Sequence, residues 1–174
     1  MVRGLPNLQA SSKVCSDCMV GKQHRKVIPK MSLWRASQHL QLIHVDIYGP
    51  IKPESHSHKR YLINFIDDYS RKTWVYFLSD KSKAFDVFKK FKALVEKETG
   101  NSICCLRTDR GGEFTSLEFN QFCSTNRITR QLTASYTPQQ NEVAERKNRT
   151  VMNIVRNMLS EKQIPKEFWS GAVN

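Results

Sequence analysis

The sequence predicts an α/β fold, a mixed sheet with helices on its faces. Three observations carry that expectation. The runs RYLINFIDDYS and KTWVYFLSD are rich in β-branched and aromatic residues and are joined by an Asp-Asp-Tyr-Ser-Arg turn, so they read as an antiparallel hairpin. Upstream, LQLIHVDIYGP alternates as a strand does. Downstream, helical and extended periodicities take turns, and a meander followed by alternating helix and strand is how a mixed sheet is wound.

Each element has a local reason. In LQLIHVDIYGP, Ile43, Val45 and Ile47 share one face, and Gly49-Pro50 stops the strand. KSKAFDVFKKFKALVEKETG puts Phe85, Phe88, Phe91, Leu94 and Val95 on one helical stripe and ends at Gly100, so these aromatics are expected in the core. SICCLRTD is a strand broken by Gly111-Gly112, SLEFNQFCSTNR a short helix, and ITRQLTA a last strand. Asn141 is the expected cap of a long helix running to about Leu159. On that helix Ala144, Val151, Val155 and Met158 form the face expected to pack on the sheet. Glu145, Arg149, Met152 and Arg156 form another.

The chain has 174 residues, enough for one domain with a core, and carries 28 Lys and Arg against 16 Asp and Glu, a net charge of +12. Such a field attracts polyanions, nucleic acid foremost. No apolar run approaches spanning length, and MVRGLPNLQASSK lacks the apolar stretch of a secretory signal, so no membrane partner is expected. Five cysteines, an odd number, suit a reducing compartment, nuclear or cytoplasmic. Residues 1–35 hold seven basic residues against the single acid Asp17 and show little apolar periodicity. They are read as a separate basic segment ahead of a main domain at 36–174.

Three carboxylates stand out by context, because spacing alone would pick pairs by chance. Asp46 closes the first strand and Asp109 the fourth, where loops leave a crevice in open α/β sheets. Glu145 opens a helix crowded with Arg146, Lys147 and Arg149. A lone exposed Glu with an Arg four residues on is ordinarily a solvated ion pair. Three converging carboxylates would repel unless a divalent cation bound them, and Mg²⁺ or Mn²⁺ prefers such oxygen ligands. On that reading the acids hold metal and the neighbouring bases hold the phosphate backbone on which the metal acts.

These stretches, CSDCMVGKQHRK, LIHVDIYGP, RYLINFIDDYSRKTWVYFL, LRTDRGGEF, RQLTASYTPQQNEVAERKNRT and FWSGAV, resemble the integrase region of copia-type long-terminal-repeat retrotransposons, within the retroviral-integrase-like superfamily. The resemblance covers nearly the whole chain in order. It implies an RNase H-like fold with a five-stranded mixed sheet, and an Asp, Asp, 35-residue-gap, Glu signature matched by Asp46, Asp109 and Glu145. It implies Mg²⁺ or Mn²⁺ bound by those three, with two phosphoryl transfers on double-stranded DNA: water trims the 3′ ends of the element's DNA, and the exposed hydroxyls then attack target DNA. It also implies a homo-multimer acting in the nucleus, with a cytoplasmic particle as a further location. Lys147, Arg149 and Arg156 are the candidates for DNA contact. Two positions depart from the family: Arg110 stands where Asn is usual, and Glu142 where Gly is usual. The alternative function is an inactive integrase-derived fragment that only binds nucleic acid through its basic surface.

Cys15-x-x-Cys18 is half of a zinc site. The resemblance pairs such cysteines with two upstream histidines that this sequence lacks, so residues 1–35 are expected to be a remnant of a His/Cys module that does not bind Zn²⁺. Asp67 and Asp68 read as turn residues, Glu113 as a loop residue, His44 as packed, and Cys104 and Cys105 as buried thiols on opposite faces of a strand.

Overall fold

The computed structural model describes residues 34–132 and 142–173, all within one compact unit spanning Leu33–Asn174. Five strands, β1 (Ile43–Tyr48), β2 (Tyr61–Asp67), β3 (Thr73–Leu78), β4 (Cys105–Thr108) and β5 (Thr129–Leu132), form one sheet in the order β3-β2-β1-β4-β5. The meander β1-β2-β3 is antiparallel, whereas β4 and β5 run parallel to β1. Among the described residues three helices accompany it, α1 (Ala84–Thr99), α2 (Leu117–Thr125) and α3 (Glu142–Glu161). Among the described residues no helix is long and apolar enough to cross a membrane.

One face of the sheet is built for packing. Ile43 and Val45 lie level with Phe65 and its neighbours across the β1-β2 register, and α1 lays Ala84, Phe88, Phe91 and Val95 on them. Phe65 and Phe91 stack with ring centroids 4.1 Å apart, and Phe119 of α2 meets Phe88 at 5.4 Å. Such ring pairs contribute about 0.5–1.5 kcal/mol beyond area burial. The helix ends at Gly100, whose φ of 68° lets its N–H reach Glu96 O. Leu94, expected on the buried stripe, is exposed, because Phe91 and Val95 already fill the contact and Leu94 falls to its side. Ser116 caps α2 by accepting from the Phe119 N–H.

The opposite face carries α3, and here the expected helix face shifts. The buried positions are Ala144, Asn148, Met152, Val155 and Leu159, three or four residues apart as one helical stripe requires, while Met158 is exposed. Met152 therefore packs on the sheet instead of sharing the exposed stripe, since the stripe is centred on Asn148, a polar residue that the apolar pattern passes over. Val155 and Leu159 meet Trp169, whose indole N–H donates to Pro53 O at 3.2 Å. Asn141, the expected cap, lies outside the described residues, as do Cys15 and Cys18; the side chain of Glu142 does too.

Two further expectations are corrected. Cys105 is buried but Cys104 is exposed, because β4 begins only at Cys105. Asp67 and Asp68 are buried and not simple turn residues. Asp67 accepts from the Leu40 N–H at 3.1 Å and from the Ser70 hydroxyl at 2.6 Å, and Asp68 from the Ala36 N–H at 2.9 Å. Burial alone would raise both carboxyls; for Asp67 the bonds from Ser70, Leu40 and His39, and for Asp68 those from Ala36 and His44 with the charge of Arg71, outweigh it and hold them below the usual range. The pair thus ties the segment before β1 to the hairpin.

Candidate active site

β1 is central, so its side chains are sandwiched, and Asp46 points to the α3 side opposite Ile43 and Val45. Its cross-strand partner on β2 is Asn64. On the other flank, β4 pairs with β1 in parallel, Ile43 with Leu106 and His44 with Arg107. Continuing that register two residues brings Asp109 level with Asp46, one strand away. The two acids therefore lie side by side toward the C-terminal ends of neighbouring parallel strands, Asp46 within β1 and Asp109 one residue past β4.

α3 supplies the rest. Glu145 sits in its first turns and is exposed; one turn on, Asn148 is buried. Asn148 Nδ2 donates to Asp46 Oδ2 at 2.7 Å, and Asn64 Nδ2 donates to Asn148 Oδ1 at 2.8 Å. Neither amide was singled out in the sequence, although each is a polar residue at a core position: Asn148 in the helical stripe, Asn64 between Ile63 and Phe65. That interruption is the signal that could have found them.

The electrostatics join the three acids. Burial, with the charges of Asp109 and Glu145 adding to it, pushes the Asp46 carboxyl up to about 6 against the lowering effect of the Asn148 bond. Asp109 is fixed by its own turn, accepting from the Gly111 N–H at 3.0 Å. A Cβ at Gly111 would meet the Glu113 carboxylate at 2.8 Å, so Glu113, which pairs with Lys81 at 3.3 Å, would have to shift. The glycine accommodates this chain's own side chain.

The donor chemistry fits a hard divalent cation: three carboxylates whose mutual repulsion a 2+ charge relieves. Among the described residues, however, no three His, Cys, Asp or Glu side chains are gathered into one metal-holding group. The acids form an electrostatically coupled set and not a closed coordination shell. His44, two residues before Asp46, turns from the site to Asp68, with Nε2 at 3.0 Å from Oδ1; burial lowers its pKa, so a neutral ring donates from Nε2.

Of the candidate DNA contacts, Lys147, Arg149 and Arg156 are all exposed on α3. Arg156 donates to the Tyr48 hydroxyl at 3.1 Å and so leans over the end of β1. Beside it a cavity of about 660 Å³ opens between β1 and the second half of α3, with Ile47, Met152 and Val155 in its wall and Lys52, Arg156 and Lys166 as its charged residues.

Residues 36–138 match the family model described as integrase core domain. The chain is 48% identical over 161 residues to the retrovirus-related Pol polyprotein from transposon TNT 1-94 of Nicotiana tabacum, covering 92% of this chain and 12% of that polyprotein. It is 36% identical over 168 residues to the corresponding polyprotein from transposon RE2 of Arabidopsis thaliana, covering 95% and 11%. The chain thus spans about a tenth of the length of these relatives. Among solved structures, a simian T-cell lymphotropic virus intasome in complex with PP2A regulatory subunit B56 gamma aligns with TM-score 0.68 at 19% identity, covering 91% of this chain and 55% of that one. The HTLV-2 integrase catalytic core domain in complex with magnesium, in its dimeric form, aligns with TM-score 0.58 at 18% identity, covering 80% and 87%. At such identities the likeness concerns the fold, which is RNase H-like.

Proposed function

The chain belongs to the integrase core family, and from that premise we propose that it is a metal-dependent polynucleotidyl transferase acting on the ends of double-stranded DNA. The family as a whole implies polynucleotidyl transfer. The finer reading assigns this chain trimming of 3′ ends by water, followed by attack of the freed hydroxyls on target phosphodiesters. The single observation that supports it best is Asp46, a half-buried carboxylate pushed up to about 6 with Asp109 and Glu145 contributing to the rise. Ordinary folding does not favour such a cluster; a divalent cation would relieve it.

In this reading Asp46, Asp109 and Glu145 hold Mg²⁺ or Mn²⁺. When bound, the metal supplies positive charge to the phosphate and acidity to the attacking water or hydroxyl. The protein's own contributions are positional. Asn148 holds one oxygen of Asp46, the Gly111 N–H holds Asp109, and Glu145, exposed on a rigid helix, is free to rotate toward them. Arg156 braced on Tyr48, with Lys147 and Arg149 on the same helix, retains the DNA backbone. In this reading the chain works as a homo-multimer in the nucleus, with a cytoplasmic particle as a further location. Zn²⁺ plays no part in this chemistry.

The test is Mn²⁺-dependent nicking and strand joining on a labelled duplex, wild type against Glu145→Gln. The expected loss is at least about a hundredfold. No reaction from either protein, with salt-sensitive DNA binding intact, would instead leave a basic binding fragment.

A further inference from the structure

We propose that Asn64 is a positioning residue: it fixes the orientation of the Asn148 side-chain amide, and through it the carboxylate of Asp46. The proposal rests on the active-site reading above for its consequence, but its geometry stands apart from it.

The three side chains form a one-way chain of donors. Asn64 Nδ2 gives to Asn148 Oδ1 at 2.8 Å, and Asn148 Nδ2 gives to Asp46 Oδ2 at 2.7 Å. An Asn amide flips at almost no steric cost, because its oxygen and nitrogen are nearly the same size. Flipping Asn148 here would break both bonds at once: its oxygen would face the Asp46 carboxylate, acceptor against acceptor, and its nitrogen would face Asn64 Nδ2, donor against donor. Flipping Asn64 alone would set its oxygen against Asn148 Oδ1. With Asp46 ionised, only the observed direction satisfies both contacts.

That direction has a cost that marks it as more than packing. Asn64 is 1% exposed, and its Oδ1 has no hydrogen-bond partner among the described residues. An unpaired buried carbonyl is destabilising, whereas apolar side chains of the same shape at both Asn64 and Asn148 would be neutral or better. On its own face of the sheet Leu62 and Ile66 precede and follow it in β2 and Val75 lies opposite on β3, while Asp46 lies opposite on β1. The strand thus keeps an amide in a buried row, and among the described residues that amide bonds to Asn148. Asn148 is itself 1% exposed and held in the α3 stripe, so neither partner can turn to solvent for a substitute.

The experiment compares wild type with Asn64→Leu, which removes the donor and the orphan acceptor together, and Asn64→Asp, which replaces the donor with an acceptor of the same shape. In the metal-free protein, the Asn148 side-chain amide protons are followed by nitrogen-resolved NMR. In wild type they exchange at least about tenfold more slowly than those of exposed asparagines. Asn64→Leu loses that protection and melts close to wild type, because it exchanges the orphan Asn64 Oδ1 for an orphan Asn148 Oδ1. Asn64→Asp turns the Asn148 amide toward the new carboxylate, which moves its side-chain resonances. In the nicking assay both variants lose kcat by about tenfold with KM for the duplex unchanged. Unchanged Asn148 protection in Asn64→Leu would overturn the proposal, as would activity that falls only in step with melting temperature. If wild type does not nick at all, the catalytic reading fails, and amide exchange alone still decides whether Asn64 sets Asn148.

Discussion

On the side of the sheet covered by α1 and α2, the strands present Ile43, Val45, Ile63 and Phe65 to Phe88, Phe91 and Phe119. On the side covered by α3, the same strands present His44, Asp46 and Asn64, and the helix answers with Asn148. Because strand side chains alternate, one residue of slip would exchange the two surfaces. The first face supplies stability without chemistry. The second gives up some stability, in a raised carboxylate and an orphan carbonyl, to hold charged and polar groups in fixed positions.

The contrast can be broken most forcefully from the apolar side. Phe91→Ala removes a ring that stacks on Phe65 and meets Trp74, and should cost about 3–5 kcal/mol in denaturant unfolding. Any loss of nicking should follow the loss of folded protein. On the polar side the sign reverses. Asp46→Asn keeps an acceptor for Asn148 and removes the charge, so it should abolish nicking yet stabilise the fold by roughly 1–3 kcal/mol at pH 8. The folded pKa of about 6 lies above the unfolded value of 3.8, so the native state binds the proton more tightly. Its unfavourable contribution therefore develops as pH rises from about 3.8 to 6 and is complete above that. The stabilisation by Asp46→Asn should fade below about pH 4 in thermal melts.

Smaller effects sharpen the same division. Mn²⁺ at a hundred times its dissociation constant should raise wild-type stability by about 2.7 kcal/mol at pH 8, and Asp46→Asn should respond much less. Arg156→Ala should leave the melting temperature nearly unchanged, weaken duplex binding evenly across sequences, and lower the slope of log affinity against log salt by about 1.

The apolar face was the legible one. Alternation in LQLIHVDIYGP and the phenylalanine spacing of α1 report burial directly, and strands and helices formed where those periods predicted them. The polar face was not. Apolar periodicity places Met158 in the packed stripe of α3 and Met152 outside it, because the stripe is centred on Asn148, which such a count treats as a gap. Asp67 and Asp68 look like turn residues, yet their partners at Ala36 and Leu40 lie about thirty residues away, so local sequence carries no trace of them. Asp46, Asp109 and Glu145 could be picked out from their places toward the ends of strands and near a helix start. What sequence could not convey is the pair of amides behind Asp46, since a buried polar contact depends on three-dimensional register.

The most direct measurement is a crystal structure of the chain soaked in Mn²⁺, read by anomalous scattering. The account predicts a manganese peak held by Asp46 and Asp109, with Glu145 rotated toward it and the Asn148 bond to Asp46 retained. A fully occupied peak bound elsewhere, or none at saturating Mn²⁺ with the three carboxylates still apart, would contradict it.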